Sequence, residues 1–319
     1  MKKFAKNSLA LATLAMMATG FAGVAQAGSL AYSNLNVLGL KFVDSNGVIF
    51  DATQGTGNII LGGILLGTTN DANLFSVPGS DINNTFGVQA CQGSACGGVG
   101  GYTEQAPIGT QHFARALSDL SGTIVNGLGE GAGGATAQTV GEAQLIKNDQ
   151  AIANSNIQLN AGFDFTLAGA GVVGFTFDTT GGLHAMQNPE NNVPPSNAQA
   201  SVNLTITIID NDNNGALVFS WSPDGKINNA TLANDSVDGA NLNDTLPAAF
   251  AGNNFTRNLG GAFSATSLGA LTAGVSYSLA INHTSDVQAI KEISVPEPGS
   301  LALLGLGLLG LSARKFRRS

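Results

Sequence analysis

Ser201-Val202-Asn203-Leu204-Thr205-Ile206-Thr207-Ile208 alternates polar and apolar side chains without a break, and this stretch decides the fold. A period of two puts the four apolar residues on one face and the four polar ones on the other, as a half-buried strand requires. Asp210-Asn211-Asp212-Asn213-Asn214-Gly215 follows, a turn cluster whose Asx and Gly residues tolerate positive φ. Ala216 to Trp221 is an apolar return, so the unit reads as a hairpin.

The same period recurs outward from that hairpin. Phe163-x-Phe165-x-Leu167 and Val173-x-Phe175-x-Phe177 suggest a second pair turning at Ala168 to Gly171. Val275-x-Tyr277-x-Leu279-x-Ile281 alternates late in the chain, and Leu35 to Leu40 with Val48 to Phe50 does so early. His112 to Leu120 is the best candidate helix, although it lacks a full amphipathic stripe. Asn188 to Pro195 and Gly127 to Gly134 read as connections, and no fixed-period repeat is visible. The expected class is all-β: an antiparallel β-sandwich or jelly-roll-like fold.

Both ends read as addresses. Lys2, Lys3 and Lys6, the apolar run Leu9 to Ala18, and Ala25-Gln26-Ala27 form a signal peptide over residues 1–27, cut after Ala27 by signal peptidase. At the other end, Val295-Pro296-Glu297-Pro298 precedes an apolar run from Leu301 to Leu311 and a basic stretch with Arg314, Lys315, Arg317 and Arg318. A helix from Ser300 to Ala313 would be about 21 Å long against a hydrocarbon core of about 30 Å. Snorkelling basic side chains or local thinning can make up the difference, and the basic residues hold their end on the cytoplasmic side. The segment is either a transient retention signal or a permanent anchor. The domain plan is residues 1–27, 28–294 and 295–319.

Pro-Glu-Pro, a Gly/Leu-rich apolar stretch and a basic tail, in that order, resemble the PEP-CTERM sorting signal of exosortase substrates. The resemblance implies a Gram-negative-type envelope and transient inner-membrane retention through an apolar sorting helix. It also implies exosortase cutting near Pro296-Glu297-Pro298 and delivery to the cell surface or matrix. Gly141 to Gln144, the segments between Phe163 and Phe177, Val218 to Gly225 and Ser278 to Thr284 are similar to a group of exosortase-dependent surface proteins. That likeness implies a surface or biofilm-matrix role and brings no catalytic residue with it.

Charge sharpens the contrast between body and addresses. The encoded chain has 13 Lys or Arg and 21 Asp or Glu. Seven of those cations lie outside residues 28–298; six remain against all 21 acids, a formal charge of −15. Nucleic acid, which needs a basic face, is therefore not an expected partner.

Chemistry is sparse. Cys91-Gln92-Gly93-Ser94-Ala95-Cys96 can close a small disulfide loop in an exported, oxidising setting. Asp210, Asp212 and Asn214, with Gly215, resemble the first half of a Ca²⁺ loop, but the position for a bidentate Glu is Trp221, which leaves a weak candidate. Gly129/Gly131/Gly134, Gly169/Gly171/Gly174 and Gly305/Gly307/Gly310 match a dinucleotide pattern without its strand–helix context. His112, His184 and His283 show no ligand spacing, and no hydrolase signature occurs, so neither an enzyme nor a cofactor is expected. A structural or adhesive role is the leading expectation. The alternative is an exopolysaccharide-binding module, which would need Trp221, Tyr32, Tyr102 or Tyr277 on a surface.

Replacing Arg314, Lys315, Arg317 and Arg318 together with Ser should reduce the surface-located, processed form and let unprocessed chain escape; immunoblotting of cell and medium fractions reads this. Normal processing in the quadruple variant would remove any retention role for the basic residues.

Overall fold

The computed structural model describes residues 28–53, 58–63, 66–94, 96, 111–127, 134–187, 197–247, 249 and 252–291. These residues are all-β, with no helix among them. In chain order the strands are β1 (Ser29–Asp44), β2 (Ile59–Gly63), β3 (Leu66–Leu74), β4 (Asp81–Asn83), β5 (Ala90–Gly93), β6 (Phe113–Ser121), β7 (Ala135–Leu145) and β8 (Asp149–Leu167). They continue as β9 (Val173–Gln187), β10 (Asn197–Asp210), β11 (Ala216–Trp221), β12 (Ala233–Asp238), β13 (Asn254–Asn258), β14 (Gly261–Ser267) and β15 (Tyr277–Lys291).

Two antiparallel sheets face each other in a sandwich-like arrangement. The first runs β12-β14-β9-β1-β7-β6-β5, with β13 also on β9; the second runs β11-β10-β15-β8-β3-β4, with β2 also on β8. The Ser201–Ile208 stretch lies in β10, whose Val202, Leu204, Ile206 and Ile208 are buried as the alternation requires. Its hairpin with β11 pairs Ile206 with Trp221 and Asp210 with Ala216.

The core changes character along its length. Towards the end where β1 finishes and β15 begins, it is a chain of rings. Phe42 lies 4.7 Å from Phe50, 5.2 Å from Phe165 and 5.0 Å from Phe175, and Phe177 contacts Trp221 and Phe263. Towards the end where β1 starts and β15 finishes, the core holds Leu74 and Leu145 but is otherwise rich in small residues: Ala31, Ser33, Ala143, Ala151, Ala153, Ala198, Ala200 and Ala289. There the sheets come together closely. A Cβ built on Gly141 of β7 would stand 3.1 Å from the Ala153 carbonyl oxygen and 3.2 Å from that of Ser285, both in the opposite sheet.

The long strand β10 is covered on its outer edge. β11 pairs with its later residues, while Leu204 and Val202 donate amides to Leu242 and Asp244, and Leu246 and Ala249 donate to Ala200 and Ala198. The segment 242–249 thus closes an edge that would otherwise template association.

Three expectations are corrected. His112 to Leu120 is not a helix: Phe113–Ser121 is β6, held between β5 and β7. Both its faces are buried, so the alternation that marks a half-exposed strand is missing. The Phe165 and Phe175 strands do not form a hairpin, because β8 belongs to the second sheet and β9 to the first. Each turns its rings onto the shared core from opposite sides, and residues 168–172 cross between sheets. Val48 to Phe50 is not a strand; Ile49 makes an isolated bridge to Val43, the following Asp51 bridges Asn126, and Phe50 between them lies against Phe42. The signal peptide, Asn188 to Pro195 and the C-terminal segment lie outside the described residues.

Gly141→Val should destabilise the fold by about 1–3 kcal/mol in urea unfolding, because neither facing carbonyl can retreat. Gly169→Ala, with open space around it, should change stability by less than about 0.5 kcal/mol. Equal effects would show that the sheets tolerate wider separation at Gly141.

Candidate functional site

Where the sheets are closest, small hydroxyl residues reach across. Ser33 donates to the Ser201 carbonyl at 2.7 Å and Ser29 to that of Asn197 at 3.1 Å. Thr139 on β7 bonds both His283 Nε2 and Ser285 Oγ on β15, each at 2.8 Å. Thr68, Asn70, Ser118 and Ser155 form a second buried network, in which the Thr68 and Ser118 hydroxyls bond each other and Asn70 Nδ2 donates to Ser118 Oγ. Burial pushes the His283 pKa down to about 3, opposed only in part by the Leu35 backbone. The imidazole is therefore a neutral tie between sheets.

A second cluster sits at the Lys291 end. His112 Nε2 bonds Asp149 Oδ2 at 2.9 Å, and His112 Nδ1 faces the Ile146 amide, so Nε2 carries the proton in the neutral ring. Burial lowers the His112 pKa, outweighing its bond to Asp149, and the Lys147 and Lys291 charges add to that lowering. Burial pushes Asp149 up, but hydrogen bonds from Ser76, His112 and Gln150 together hold it below the usual carboxylate range. Lys291 donates to the Ile146 carbonyl. The cluster joins the starts of β6 and β8 to the end of β15. Asp149 also takes a hydrogen bond from the Ser76 side chain, and the second ring nitrogen of His112 faces the Ile146 amide.

On the outward face of the first sheet, Arg115 of β6 pairs with Glu142 of β7 through Nε at 2.8 Å, both buried, and the guanidinium lies 5.0 Å from the Phe113 ring centroid. Glu142 belongs to the Gly141–Gln144 segment singled out by sequence. Its partner was hidden in the supposed helix. A concavity of about 370 Å³ opens on the same face over Gly181 and Gly182, beside Asn34, His184, Thr256 and Arg257. Gly181 has φ +130°, and a Cβ there would meet the Asn34 carbonyl oxygen at 2.2 Å. Arg257 donates to Asp244 at 2.8 Å, and His184 bonds Asn254 at 2.8 Å.

The remaining candidates are placed as follows. Asp210 Oδ1 accepts from the amides of Asp212 and Asn213, Asp212 Oδ2 accepts from Ser276 N, and Asn214 has φ 54°. These carboxylates shape an Asx turn that also clamps the start of β15. Cys91 and Cys96 stand at disulfide distance with Cα atoms 5.4 Å apart. Trp221 and Tyr277 are buried in the core, Tyr32 is mostly buried but lines the concavity over Gly181 and Gly182, and Tyr102 lies outside the described residues. His112, His184 and His283 occupy three separate places. Among the described residues no three His, Cys, Asp or Glu side chains gather as a metal-sized group. Ala25, Ala27, Val295 to Pro298 and the basic residues 314–318 lie outside the described residues.

Residues 294–318 match the family model of the PEP-CTERM protein-sorting motif. No curated protein and no solved structure matches the chain. The chain carries the address of exosortase-sorted proteins, which are exported to the surface of Gram-negative bacteria.

The His283 imidazole sets a pH signature. Its folded value lies below the ordinary 6.5, so its contribution is complete above about pH 6.5 and is lost as pH falls towards 3. Between pH 7.5 and 5, the native chain should lose on the order of 2 kcal/mol more stability than His283→Gln in parallel denaturant titrations. Superimposable pH profiles would show that the folded state accepts the proton.

Proposed function

We propose that residues 28–294 form a non-enzymatic structural or adhesive component of the bacterial surface or extracellular matrix. In this reading the C-terminal apolar segment holds the chain at the inner membrane until an exosortase cuts near Pro296-Glu297-Pro298. The observation that carries it is the sorting motif at residues 294–318.

The interior supports a passive body. Hydroxyls, His283 and the Arg115–Glu142 pair are engaged in binding strand to strand or sheet to sheet. Six cations against 21 acids keep the released body soluble and favour divalent-cation association at its surface. Exopolysaccharide binding is the less favoured reading. With Trp221 and Tyr277 buried in the core, it would fall to Tyr32 in the concavity over Gly181 and to Asn and Thr on the strand faces.

Intact mass spectrometry of protein from the cell surface and the medium tests the processing. The expected species begins at Gly28, ends near Pro298 and is two hydrogens lighter without reductant, for the Cys91–Cys96 bond. A surface species that retains residues 299–319 would overturn release. Two alkylatable thiols would overturn the disulfide.

A further inference from the structure

The body leaves the sandwich towards its sorting signal at Lys291, and the start of the mature chain lies beside it. Ser29 pairs with Leu145 and Gln187 and donates to the carbonyl of Asn197, which pairs with Ile290. Lys291 pairs with Asp149 and donates to Ile146. Both ends of the body therefore emerge at one end of the sandwich.

The outward face of the second sheet has an unusual character there. Pairing aligns Gln150 with Ile290 and Ile290 with Asn197, while Phe75 donates its amide to the Gln150 carbonyl. The next row inward is Asn73, Ile152, Gln288 and Gln199. These two rows carry no charge in a body with a formal charge of −15; the first carboxylates, Asp71 and Asp286, stand one row further along. Phe75 is 55 % exposed, Ile152 36 % and Val77 39 %, and Ile290 is half-buried.

The turn that presents Phe75 and Val77 is braced. Gln92 Oε1 accepts from Leu74 N at 2.7 Å, and Gln92 Nε2 donates to the Gly79 carbonyl at 2.8 Å. Ser76 N donates to Asp149, and Val77 N to the Leu74 carbonyl. A held turn cannot fold its apolar side chains inward, so it displays them. Exposed apolar residues elsewhere, such as Ile60 and Leu268, lack the adjoining exit of the chain.

We propose that this uncharged strip, with Phe75, Ile152 and Ile290 and with Val77 on the neighbouring turn, lies against the lipid surface while the C-terminal apolar segment tethers the chain. The inference rests on the retention reading given above. Ten peptide bonds link Lys291 to Leu301, a reach of at most about 35 Å. A tether that short gives an effective concentration on the order of millimolar, so a contact too weak to bind alone is occupied. Acidic surfaces are repelled by anionic headgroups, and the uncharged strip is the face that escapes this. Docking would hold residues 292–298 at the bilayer surface, within reach of a membrane-embedded protease. Once that segment is cut, the strip alone would release the body.

The test uses the full chain, sorting segment intact, reconstituted into phosphatidylethanolamine/phosphatidylglycerol vesicles containing brominated lipid. Two variants, Phe75→Trp and Asn213→Trp at the opposite end, are compared, with buried Trp221 as a constant background. Vesicle flotation reports the tether and quenching reports the docking. Flotation with several-fold stronger quenching of the Trp at 75 is the expected result. Flotation with equal or absent quenching would overturn the docking and leave the tether standing. A chain that fails to float would overturn both.

Discussion

The fold depends on how closely its two sheets approach at one end. Sheets normally pack about 10 Å apart, a gap filled by branched and aromatic side chains. Here Gly141 brings the backbone of β7 onto the carbonyls of Ala153 and Ser285, with the Val287 side chain as its next neighbour. At that separation a serine hydroxyl on one sheet reaches a main-chain carbonyl on the other, as Ser33 does with Ser201. Those carbonyls already serve their own ladders and accept the extra bond on a second lone pair. The opposite end of the core is filled by the rings of Phe42, Phe165, Phe175 and Phe219. A chain so poor in charge can close a core because hydroxyl-to-carbonyl bonds satisfy the polar groups that small side chains would otherwise leave buried.

The hairpin from Ser201 to Trp221 was legible because one face of β10 is buried and the other half-exposed, which writes the period into the sequence. β6 was not, since Ala114 and Ala116 face the core while Phe113, Arg115 and Leu117 are buried on the outward side. A strand buried on both faces looks, residue by residue, like a short buried helix. The Phe165 and Phe175 segments showed their strands but not their sheets. A Gly-rich link of a few residues serves a hairpin or a crossing equally well, and only the distribution of rings decides. The acidic turn at Asp210 read correctly as a turn because Asx chemistry is local.

The same distinction separates the candidate sites. A sorting signal is linear, so Pro296, Glu297 and Pro298, the apolar run and the basic residues could be read without a fold, and the family match at residues 294–318 agrees. The Arg115–Glu142 and His112–Asp149 pairs join residues 27 and 37 positions apart. Only strand register brings such partners together. Their chemistry goes into fixing one arrangement of the sheets.

β15 lies inside its sheet, paired with β8 on one side from Tyr277 to Lys291, with an irregularity at Ala280, and with β10 on the other from Tyr277 to Ile290. A pull between the Lys291 end and the far turns acts along these strands instead of across them. Load in that direction is shared by both ladders at once, since sliding β15 out requires many backbone bonds to break together. A force applied across the strands would open them one at a time. The sandwich is thus mechanically strongest along the line from its chain exit to its opposite turns, which is the direction in which a surface protein held at one end is pulled.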